Sequence, residues 1–461
     1  MPRSRQITPP ALTLQLQSQG VATAQQLADA LAVDRSTISR GLTGLGDLVL
    51  RIGAARSARY ALRREVRGHR SHWPLYRITP EGRAETWAEI HAVHGGFWLD
   101  FAGTAPVWLE RGYSDGFFPG LPFFLSDVRP QGFLGRALAR QFGPLNGLPE
   151  DPRAWQDDDV LIGLLATGYD LPGNVVPGTR MMEALLQTLG VAVPRAIGLA
   201  DRHAQYSARA TEAMEGGAPG SSAGGEQPKF LASLDAGSGQ VREVLVKFSP
   251  PMDTPAGRRW GDLLATEHHA LAVLAAQGEK VAVTELLEAG SRRFLEVTRF
   301  DRAGARGRRG VLTLQAVEAG LLDETVTDWP AAARAMAAAG LLPADDADAL
   351  VRRWCFGRQI GNTDMHFGNA SVWFGDDGPF RLAPVYDMLP MLFAPGSQGE
   401  VVPRDFSLAP PLPQWHAAWQ AVTPWALEFW QRVEADVTIS VDFRQRAAQA
   451  RSRVAEIARS L

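Results

Sequence analysis

A run of ten residues, 360–369, constrains this chain most, because it concentrates polar side chains between stretches that pattern as regular secondary structure. Residues 351–360 predict a helix, and residues 370–374 and 380–382 predict two short strands around an Asp-Asp-Gly turn. Polar side chains on a loop held between packed elements are typical of a functional site. The run contains a carboxylate, an imidazole and a carboxamide, which belong to Asp364, His366 and Asn369.

The spacing of these groups favours a site for phosphoryl transfer. Asp364 and Asn369 have the spacing of the kinase catalytic loop Asp-x-x-x-x-Asn, in which the aspartate accepts a hydroxyl proton and the asparagine binds Mg²⁺. Asp387 follows later in the chain and can supply a second carboxylate ligand. Loop Asp and Asn residues are also common turn-formers, and a single histidine such as His366 is commonly structural. The spacing alone therefore leaves both interpretations open.

Charge is unevenly distributed along the chain. Residues 1–70 contain 11 Arg and 4 Asp plus Glu, a net charge of +7, whereas the whole chain carries −3. A basic first segment predicts that this segment, rather than the whole protein, contacts a polyanion.

Length and cysteine content indicate the class of protein. A chain of 461 residues predicts two or three domains. The one cysteine, Cys355, excludes an intramolecular disulfide and fits a reducing compartment. No signal peptide or membrane-spanning apolar run is visible, so we expect a cytoplasmic protein with no membrane partner.

The first module predicts a winged helix-turn-helix. Residues 12–19 and 24–31 predict helices, the second capped by Thr23, and residues 35–45 predict a third helix. A hairpin follows over residues 48–62. This order resembles DNA-binding modules in which the last helix contacts bases and the hairpin contacts phosphates. The alternative is a helical interaction module whose arginines face solvent. The expected DNA contacts are Arg35, Ser36, Thr37, Ser39, Arg40, Arg51, Arg56 and Arg59.

The middle of the chain carries fewer functional signals. Residues 67–73 are polar, as in a linker, and residues 75–79 predict a strand. Residues 80–92 predict a helix, and so do residues 157–165. Residues 97–147 are rich in Gly, Pro and aromatic residues, which favours an irregular apolar layer rather than a catalytic site.

A glycine-rich segment, residues 212–225, precedes two predicted strands, residues 230–234 and 241–248. Composition indicates a flexible linker, but a glycine-rich loop before a strand can also wrap phosphates. Lys247 lies within the second strand. Burying a lysine there is costly unless it faces an anion, although the side chain can instead extend to solvent.

Two further segments fit a nucleotide site. A predicted helix over residues 262–277 carries Glu267, which can pair with Lys247 as the helix glutamate of a kinase does, or remain solvated. The predicted strand over residues 294–300 is placed to form a hinge between two lobes.

Five segments, taken in order, carry a family resemblance. They are Ser222-Ala223-Gly224-Gly225-Glu226-Gln227-Pro228-Lys229, Leu245-Val246-Lys247, Arg299-Phe300-Asp301-Arg302, Ile360-Gly361-Asn362-Thr363-Asp364-x-His366-x-x-Asn369 and Tyr386-Asp387. Over about residues 120–395 the chain resembles the HipA family, bacterial serine/threonine protein kinases that act as toxins of type II toxin–antitoxin systems. With its fused first module it is most similar to the YjjJ branch of that family.

The resemblance implies an ATP- and Mg²⁺-dependent kinase that acts on a protein. It implies that Asp364 is the catalytic base, that His366 supports the loop, and that Asn369 and Asp387 hold Mg²⁺. The implied nucleotide-site residues are Gly224, Gly225, Lys229, Lys247 with its partner Glu267, and the backbone at Thr298 and Phe300.

The resemblance also implies regulation. Ser222, with Ser221 as a substitute, occupies the position that kinases of the family autophosphorylate, which expels the loop and switches the enzyme off. A phosphate there adds about two negative charges beside those of ATP, which is a physical reason for inactivation.

Two departures from the family qualify the resemblance. Gly368 stands where better-known members have lysine, which puts rate or substrate preference in doubt. Those members also rely on a separate DNA-binding antitoxin, whereas here a DNA-binding module is predicted within the chain. An antitoxin therefore stays a possible partner, and the module is expected to bring the kinase to DNA or to restrain it in cis.

The expected fold class is α+β. We expect a winged helix-turn-helix over residues 1–70, a HipA-like N-terminal region with the kinase N-lobe over 71–305, and a helical C-lobe over 306–461. Two alternative functions remain: a DNA-binding transcriptional regulator whose inactive kinase-like domain senses nucleotide, and a metal-dependent DNase that uses the same acidic residues. A small-molecule phosphotransferase is a third.

Overall fold

The computed structural model describes residues 7–53, 58–190, 196–215, 227–235, 237 and 240–461. Along these ranges the chain forms an N-terminal module, a middle sheet with flanking helices, a second sheet between two helices, and a mainly helical C-terminal region.

The N-terminal module packs helices against a small antiparallel sheet of strand order β1-β3-β2. Thr23 accepts a hydrogen bond from the backbone N–H of Gln26 at 3.2 Å, and Asp34 accepts one from that of Thr37 at 2.7 Å, so both predicted helix starts are capped. The predicted helices and hairpin are present, and β1 adds a strand that was not expected. The elements are α1 (Pro9–Gln19), β1 (Val21–Thr23), α2 (Ala24–Leu31), α3 (Arg35–Leu45), β2 (Val49–Ile52) and β3 (Arg59–Leu62).

The middle sheet has the strand order β7-β6-β5-β4-β8. Aromatic residues fill the layer behind it, and Trp87 and Phe124 also contact Phe374, so this layer shares its core with the C-terminal region. The elements are β4 (His72–Ile78), β5 (Ala84–Val93), β6 (Gly96–Phe101), β7 (Phe117–Phe118), α4 (Phe123–Ser126), α5 (Gly132–Phe142), α6 (Asp157–Thr167), β8 (Val175–Pro177) and α7 (Thr179–Gly190).

The prediction of a helix over residues 80–92 is wrong. Strand β5 occupies most of this segment and pairs with β4 on one side and β6 on the other. Gly82 has φ +82°, which turns the chain back after β4 and begins a hairpin rather than a helix. Pairing on both edges therefore overrides the local helix pattern. The polar segment expected as a linker is also shorter than predicted, because β4 begins at His72.

The second sheet has the order β12-β13-β11-β10-β9 and lies between helices α8 and α9. Side chains alternate across β11: Val246 and Phe248 pack in the cluster that contains Tyr206 of α8, whereas Leu245 packs in the cluster that contains Leu264 of α9. The elements are β9 (Ile197–Gly198), α8 (Arg202–Glu215), β10 (Lys229–Asp235), β11 (Val241–Phe248), α9 (Pro255–Ala276), β12 (Thr284–Ala289) and β13 (Arg292–Thr298).

Helix α9 begins seven residues before the predicted start at residue 262. Thr254 accepts a hydrogen bond from the backbone N–H of Gly257 at 3.0 Å, and Pro255 occupies the first helical position, so the start signal lies upstream of the apolar pattern.

The region predicted as one unit over residues 71–305 contains two separate sheets, the middle sheet and the second sheet.

The C-terminal region packs helices around the loop of residues 360–370. Trp419 and Trp430 are buried in the core of this region. The elements are β14 (Arg302–Ala303), β15 (Gly307–Arg308), β16 (Val311–Thr313), α10 (Leu314–Leu321), α11 (Trp329–Ala338), α12 (Ala344–Gln359), β17 (Ser371–Trp373), β18 (Arg381–Leu382), α13 (His416–Ala435) and α14 (Val441–Ser460).

Candidate active site

The loop between α12 and β17 folds back on itself. Asn369 donates its side-chain N–H to the carbonyl oxygen of Asp364 at 2.8 Å, and its backbone N–H to the carbonyl oxygen of His366 at 3.0 Å. Trp329 donates its indole N–H to that same His366 oxygen at 3.2 Å. The side chains of Asp364 and His366 remain exposed, with Oδ1 and Nε2 4.0 Å apart. A fixed backbone thus presents the predicted base to solvent.

Gly368 has a local reason to be glycine. Its backbone N–H donates to Nδ1 of His366 at 3.0 Å, and a Cβ at this position would lie 2.8 Å from the ring of His366. A lysine here, as in better-known members of the HipA family, would displace that ring.

Asn362 joins the loop to the second predicted motif. It is 2% exposed, its side-chain oxygen accepts the backbone N–H of Asp364 at 3.0 Å, and its side-chain N–H donates to the carbonyl oxygen of Asp387 at 3.3 Å. Asn362 lies within one of the segments that carry the family resemblance, but no role was predicted for it. The available signal was a third amide or carboxylate side chain within the same short run.

Lys247 is buried between two carboxylates. Its Nζ atom lies 2.7 and 2.8 Å from the two carboxylate oxygens of Glu267, and it also contacts Oδ1 of Asp387. The alternation along β11 directs this side chain toward α9, which carries Glu267. The structure thus brings together three predicted site residues, and Lys247 does not extend to solvent.

The ionisation of this group follows from its partners. Burial alone would lower the pKa of Lys247, but the carboxylates of Asp387 and Glu267 raise it above the ordinary value, so the amine stays protonated. Burial would raise the pKa of Asp387, but the Lys247 and Lys229 ammonium groups lower it overall. Burial raises the pKa of Asp364; His366 lowers it, and Asp387 adds to the rise, so the pKa of Asp364 stands above its ordinary value.

Lysine is used selectively in this chain. The sequence contains three lysines, Lys229, Lys247 and Lys280, against 44 arginines. Lys229 lies opposite Lys247 in the register of β10 and β11, so two of the three lysines are cross-strand neighbours. Lysine is a compact point charge that suits a phosphate or a buried carboxylate pair. This scarcity is a second signal that the sequence offered.

The segment around Asp387 has an unusual backbone. Asp387 has φ +52°, a conformation that Asp and Asn tolerate better than most residues. Its neighbour Tyr386 donates its hydroxyl to the carbonyl oxygen of Gly368 at 2.8 Å and lies 2.7 Å from the hydroxyl of Ser371. These bonds hold the two predicted motifs against each other.

The donor set fits Mg²⁺. Asp387 offers a carboxylate, and because Asn369 uses its N–H on Asp364, its side-chain oxygen remains available as an acceptor. Hard oxygen ligands of this kind are those that Mg²⁺ prefers, usually one or two from the protein with the rest from phosphate and water. Within the described residues, no group of three or more His, Cys, Asp and Glu side chains forms a metal cluster by itself.

The segment predicted as the hinge is partly hydrogen-bonded within the second sheet. Thr298 ends β13 and donates its backbone N–H to the carbonyl oxygen of Val283 at 2.8 Å. Phe300 lies beyond the strand, where its ring contacts Trp373 and Tyr386.

Several predicted residues lie outside the described part of the chain. These are Ser221, Ser222, Gly224, Gly225 and the hairpin residue Arg56.

The motif Arg299-Phe300-Asp301-Arg302 forms a buried ion network that the sequence did not predict. Arg299 and Arg302 lie 2.9 and 2.6 Å from Oδ1 of Asp170, which belongs to the middle layer, that is, the middle sheet with its flanking helices. Arg302 also lies 2.7 Å from Asp301. Asp301 in turn accepts the backbone N–H of Gly173 at 2.9 Å. The segment after β13 is therefore tied to the middle layer.

The predicted DNA contacts divide into exposed and engaged side chains. Thr37 is 7% exposed, and its hydroxyl bonds Asp34 at 2.9 Å, so it belongs to the helix cap and is not displayed for DNA. Arg59 forms an ion pair with Asp115 of the middle layer. Ser36 bonds the same capping carboxylate at 2.5 Å but remains exposed. The exposed predicted contacts are Arg35, Ser36, Ser39, Arg40 and Arg51.

The N-terminal module is docked on the middle layer by arginines. Arg64 forms a two-bond pair with Asp158 at 2.6 and 2.8 Å, and Arg67 contacts Asp159 at 2.6 Å. Arg63 donates to His91 at 2.9 Å; burial, with Arg63 nearby, lowers the pKa of His91 to about 4, so the ring stays neutral. Part of the +7 charge therefore serves this interface rather than a polyanion.

Comparison with known proteins defines the class. A family model for the HipA-like C-terminal domain matches residues 221–460, and one for the middle domain of YjjJ-like toxins matches residues 69–186. The chain therefore belongs to the HipA-like toxin family, in its YjjJ-like branch. It is 36% identical over 440 residues to Toxin YjjJ of Escherichia coli (strain K12), an alignment that covers 95% of this chain and 96% of that protein.

Two solved structures overlap at low scores. HipA of Shewanella oneidensis MR-1, in a complex with HipB and operator DNA, aligns over 79% of this chain and 92% of its own at 13% identity, with a TM-score of 0.49. The Helicobacter pylori proinflammatory kinase CtkA aligns over 50% of this chain and 93% of its own at 11% identity, with a TM-score of 0.36. Scores this low do not establish a common fold.

No helix in the described ranges is long and apolar enough to cross a membrane.

Proposed function

We propose that this protein is an ATP- and Mg²⁺-dependent serine/threonine kinase that phosphorylates a protein and autophosphorylates near Ser222. The observation that carries the proposal is the buried contact of Lys247 with both Glu267 and Asp387. A kinase needs a lysine–glutamate pair beside the phosphates and an aspartate beside the metal. Here all three meet at one point, and Asn362 links that point to Asp364.

Asp364 is the proposed base. It is exposed on a loop whose backbone is fixed by Asn362 and Asn369, so its carboxylate can meet a substrate hydroxyl without reorganising the loop. Its raised pKa strengthens it as a proton acceptor. The attacking hydroxyl would transfer its proton to this carboxylate as the oxygen bonds to phosphorus.

Asp387 and Asn369 are the proposed Mg²⁺ ligands. Of the two carboxylates that face Lys247, that of Glu267 is buried and that of Asp387 is partly exposed, so Asp387 remains open to a bound cation. When bound, Mg-ATP supplies the phosphoryl group and neutralises the charge that develops on it. Lys247, released from Asp387, would then contact the phosphates while Glu267 keeps its ammonium oriented.

The alternatives account for fewer of these contacts. A DNase needs Asp387 and its neighbours but has no use for the buried Lys247–Glu267 pair. An inactive nucleotide sensor accounts for that pair, but it has no use for the bonds that position Asp364 and Asn369.

Intact mass tests the kinase proposal. Phosphatase-treated protein, freed of phosphatase, is incubated with Mg-ATP beside Asp364→Ala and the matched control Asp323→Ala, an exposed aspartate elsewhere in the C-terminal region. The expected result is a gain of one phosphate on Ser222 or Ser221 in the wild type and the control, and no gain in Asp364→Ala. An equal gain in Asp364→Ala removes the base from this loop; no gain in any sample favours the sensor.

DNA binding is proposed for the N-terminal module, with an antitoxin as a further proposed partner. The exposed groups on α3 and β2 that support it are those of Arg35, Ser36, Ser39, Arg40 and Arg51. Selection from random duplexes, followed by salt titration of the selected sequence, tests it. The affinity is expected to fall steeply with salt, and Arg40→Ala to weaken it by about 1–3 kcal/mol if it contacts a base. No enrichment of any sequence contradicts operator binding.

A further inference from the structure

A cleft of about 520 Å³ lies between the segment that follows β3 and helices α6 and α7. None of the residues that line it belongs to the Lys247 site. Its wall is partly apolar and includes Ile162, Leu165, Ala166 and Trp73. The volume falls in the range of small-molecule sites, which combine an apolar wall with a few polar groups.

Two arginines line this cleft: Arg70 from the segment that follows β3, and Arg180 from the start of α7. Across the ranges that the structure describes, neither guanidinium has a carboxylate within 4 Å. Arg64 and Arg67, which precede Arg70 in the same segment, are both paired with acidic residues of α6. The carboxylates of Asp158 and Asp159 are thus paired beside the cleft, and Glu65, which also lines the cleft, forms no ion pair with either arginine among the described residues.

The position of Arg180 adds a cost that a ligand would offset. Arg180 is the second residue of α7, and a cation in the first turn of a helix opposes the helix dipole. An anion between Arg180 and Arg70 would reverse the sign of that interaction. Trp73 and Ala166 would meanwhile cover an apolar body attached to it.

We propose that this cleft binds a small organic anion: an apolar, preferably aromatic body against Trp73, Ile162 and Ala166, with a carboxylate, sulfonate or phosphate group between Arg70 and Arg180. The site lies where the N-terminal module joins the middle layer, so both the joining segment and helices α6 and α7 contribute to it. The inference does not depend on kinase activity.

The test uses 1-anilinonaphthalene-8-sulfonate, whose fluorescence rises when its rings leave water. The full-length wild type is expected to bind it saturably at one site. Arg180→Glu should weaken binding at least tenfold, because it replaces a cation of the cleft by an anion. Glutamate suits the first turn of α7, so this variant should keep its helix content by circular dichroism. Arg83→Glu, an exposed arginine of the middle layer outside the cleft, is the matched control and should bind as the wild type does.

Two further arms separate charge from shape. N-phenyl-1-naphthylamine has the same rings without the sulfonate, and it should bind the wild type at least tenfold more weakly and be indifferent to Arg180→Glu. Arg70→Gln, which leaves α7 untouched, should weaken binding of the sulfonate as well. Equal sulfonate binding by all variants, or equal binding of the charged and uncharged dyes, overturns the proposal. Loss of DNA affinity in Arg180→Glu with dye binding unchanged would assign the arginines to DNA phosphates and overturn it too.

Discussion

Replacing Lys247 by methionine should destabilise the protein strongly, because the cation that faces the buried carboxylate of Glu267 and the half-buried carboxylate of Asp387 disappears. The side chains of Lys247 and Glu267 are 4% and 1% exposed, and both oxygens of Glu267 lie within 2.8 Å of Nζ. Removing one partner of such a pair costs about 3–5 kcal/mol. For a unit of about 150–250 residues, each kcal/mol lowers the melting temperature by about 2–4 °C, so the expected fall is about 6–20 °C.

The loss should depend on pH with a definite sign. Burial raises the pKa of Glu267, and without Lys247 only the weaker effect of the Lys229 charge opposes the rise. A group whose pKa is raised on folding stabilises the folded state at low pH, and this contribution is lost as the pH rises through the folded pKa. The deficit of Lys247→Met should therefore be smaller near pH 5 than near pH 8.

Thermal unfolding followed by tryptophan fluorescence measures this effect. Lys280→Met is the matched control, because Lys280 is the one remaining lysine outside the cross-strand pair and is exposed. The control should melt within about 2 °C of the wild type. If Lys247→Met also melts within that range at pH 8, the buried ion pair is refuted.

Four further predictions concern the candidate site and the interface of the N-terminal module. Asp387→Asn should fold, because asparagine tolerates φ +52°, and should weaken Mg-dependent nucleotide binding at least tenfold by calorimetry; unchanged binding removes Asp387 as a ligand. Asn362→Ala should cost about 1–3 kcal/mol in chemical denaturation, since it leaves buried bonds unmade, and a neutral result contradicts its linking role. Phosphate transfer should rise with pH through a value above the ordinary pKa of an aspartate and then level off, because the raised pKa of Asp364 must be exceeded; a profile that lacks this limb argues against the base. A double-mutant cycle on Arg64 and Asp158 should give a coupling of about 1 kcal/mol, and zero coupling contradicts the docked module.

Local signals predicted the parts of the fold that local chemistry decides. Helix α3 (Arg35–Leu45) and strand β11 (Val241–Phe248) have the predicted bounds, because a capping aspartate begins the first and a valine-rich apolar segment defines the second. The segment 80–92 was predicted wrongly, because pairing with two distant strands decides its conformation and leaves no mark within the segment.

The site was predictable in its members but not in its connections. Asp364, Asn369 and Asp387 were identified from their spacing, and Lys247 from its place in an apolar strand. The bond that links Asn362 to Asp387, and the contact of Lys247 with that same aspartate, join segments 25 and 140 positions apart. Such contacts depend on how the second sheet meets the helical region, which no short pattern encodes.

The interface of the N-terminal module was hidden for the opposite reason. Its arginines were read as a single basic surface, yet Arg59, Arg64 and Arg67 each meet an aspartate of the middle layer. Composition gives the number of charged residues, but only the packed structure shows which of them are already paired.

Whether the proposed residues form one phosphotransfer site is tested most simply by the transfer of radiolabelled phosphate from γ-labelled ATP to the phosphatase-treated protein. It is measured in single variants of the four proposed site residues beside the Lys280→Met control. We expect phosphate incorporation by the wild type and the control. Incorporation should fall at least a hundredfold in Lys247→Met, Asp364→Ala, Asn369→Ala and Asp387→Asn. Incorporation near the wild-type level in any of the four, with folding intact, would contradict the claim that these residues form one phosphotransfer site.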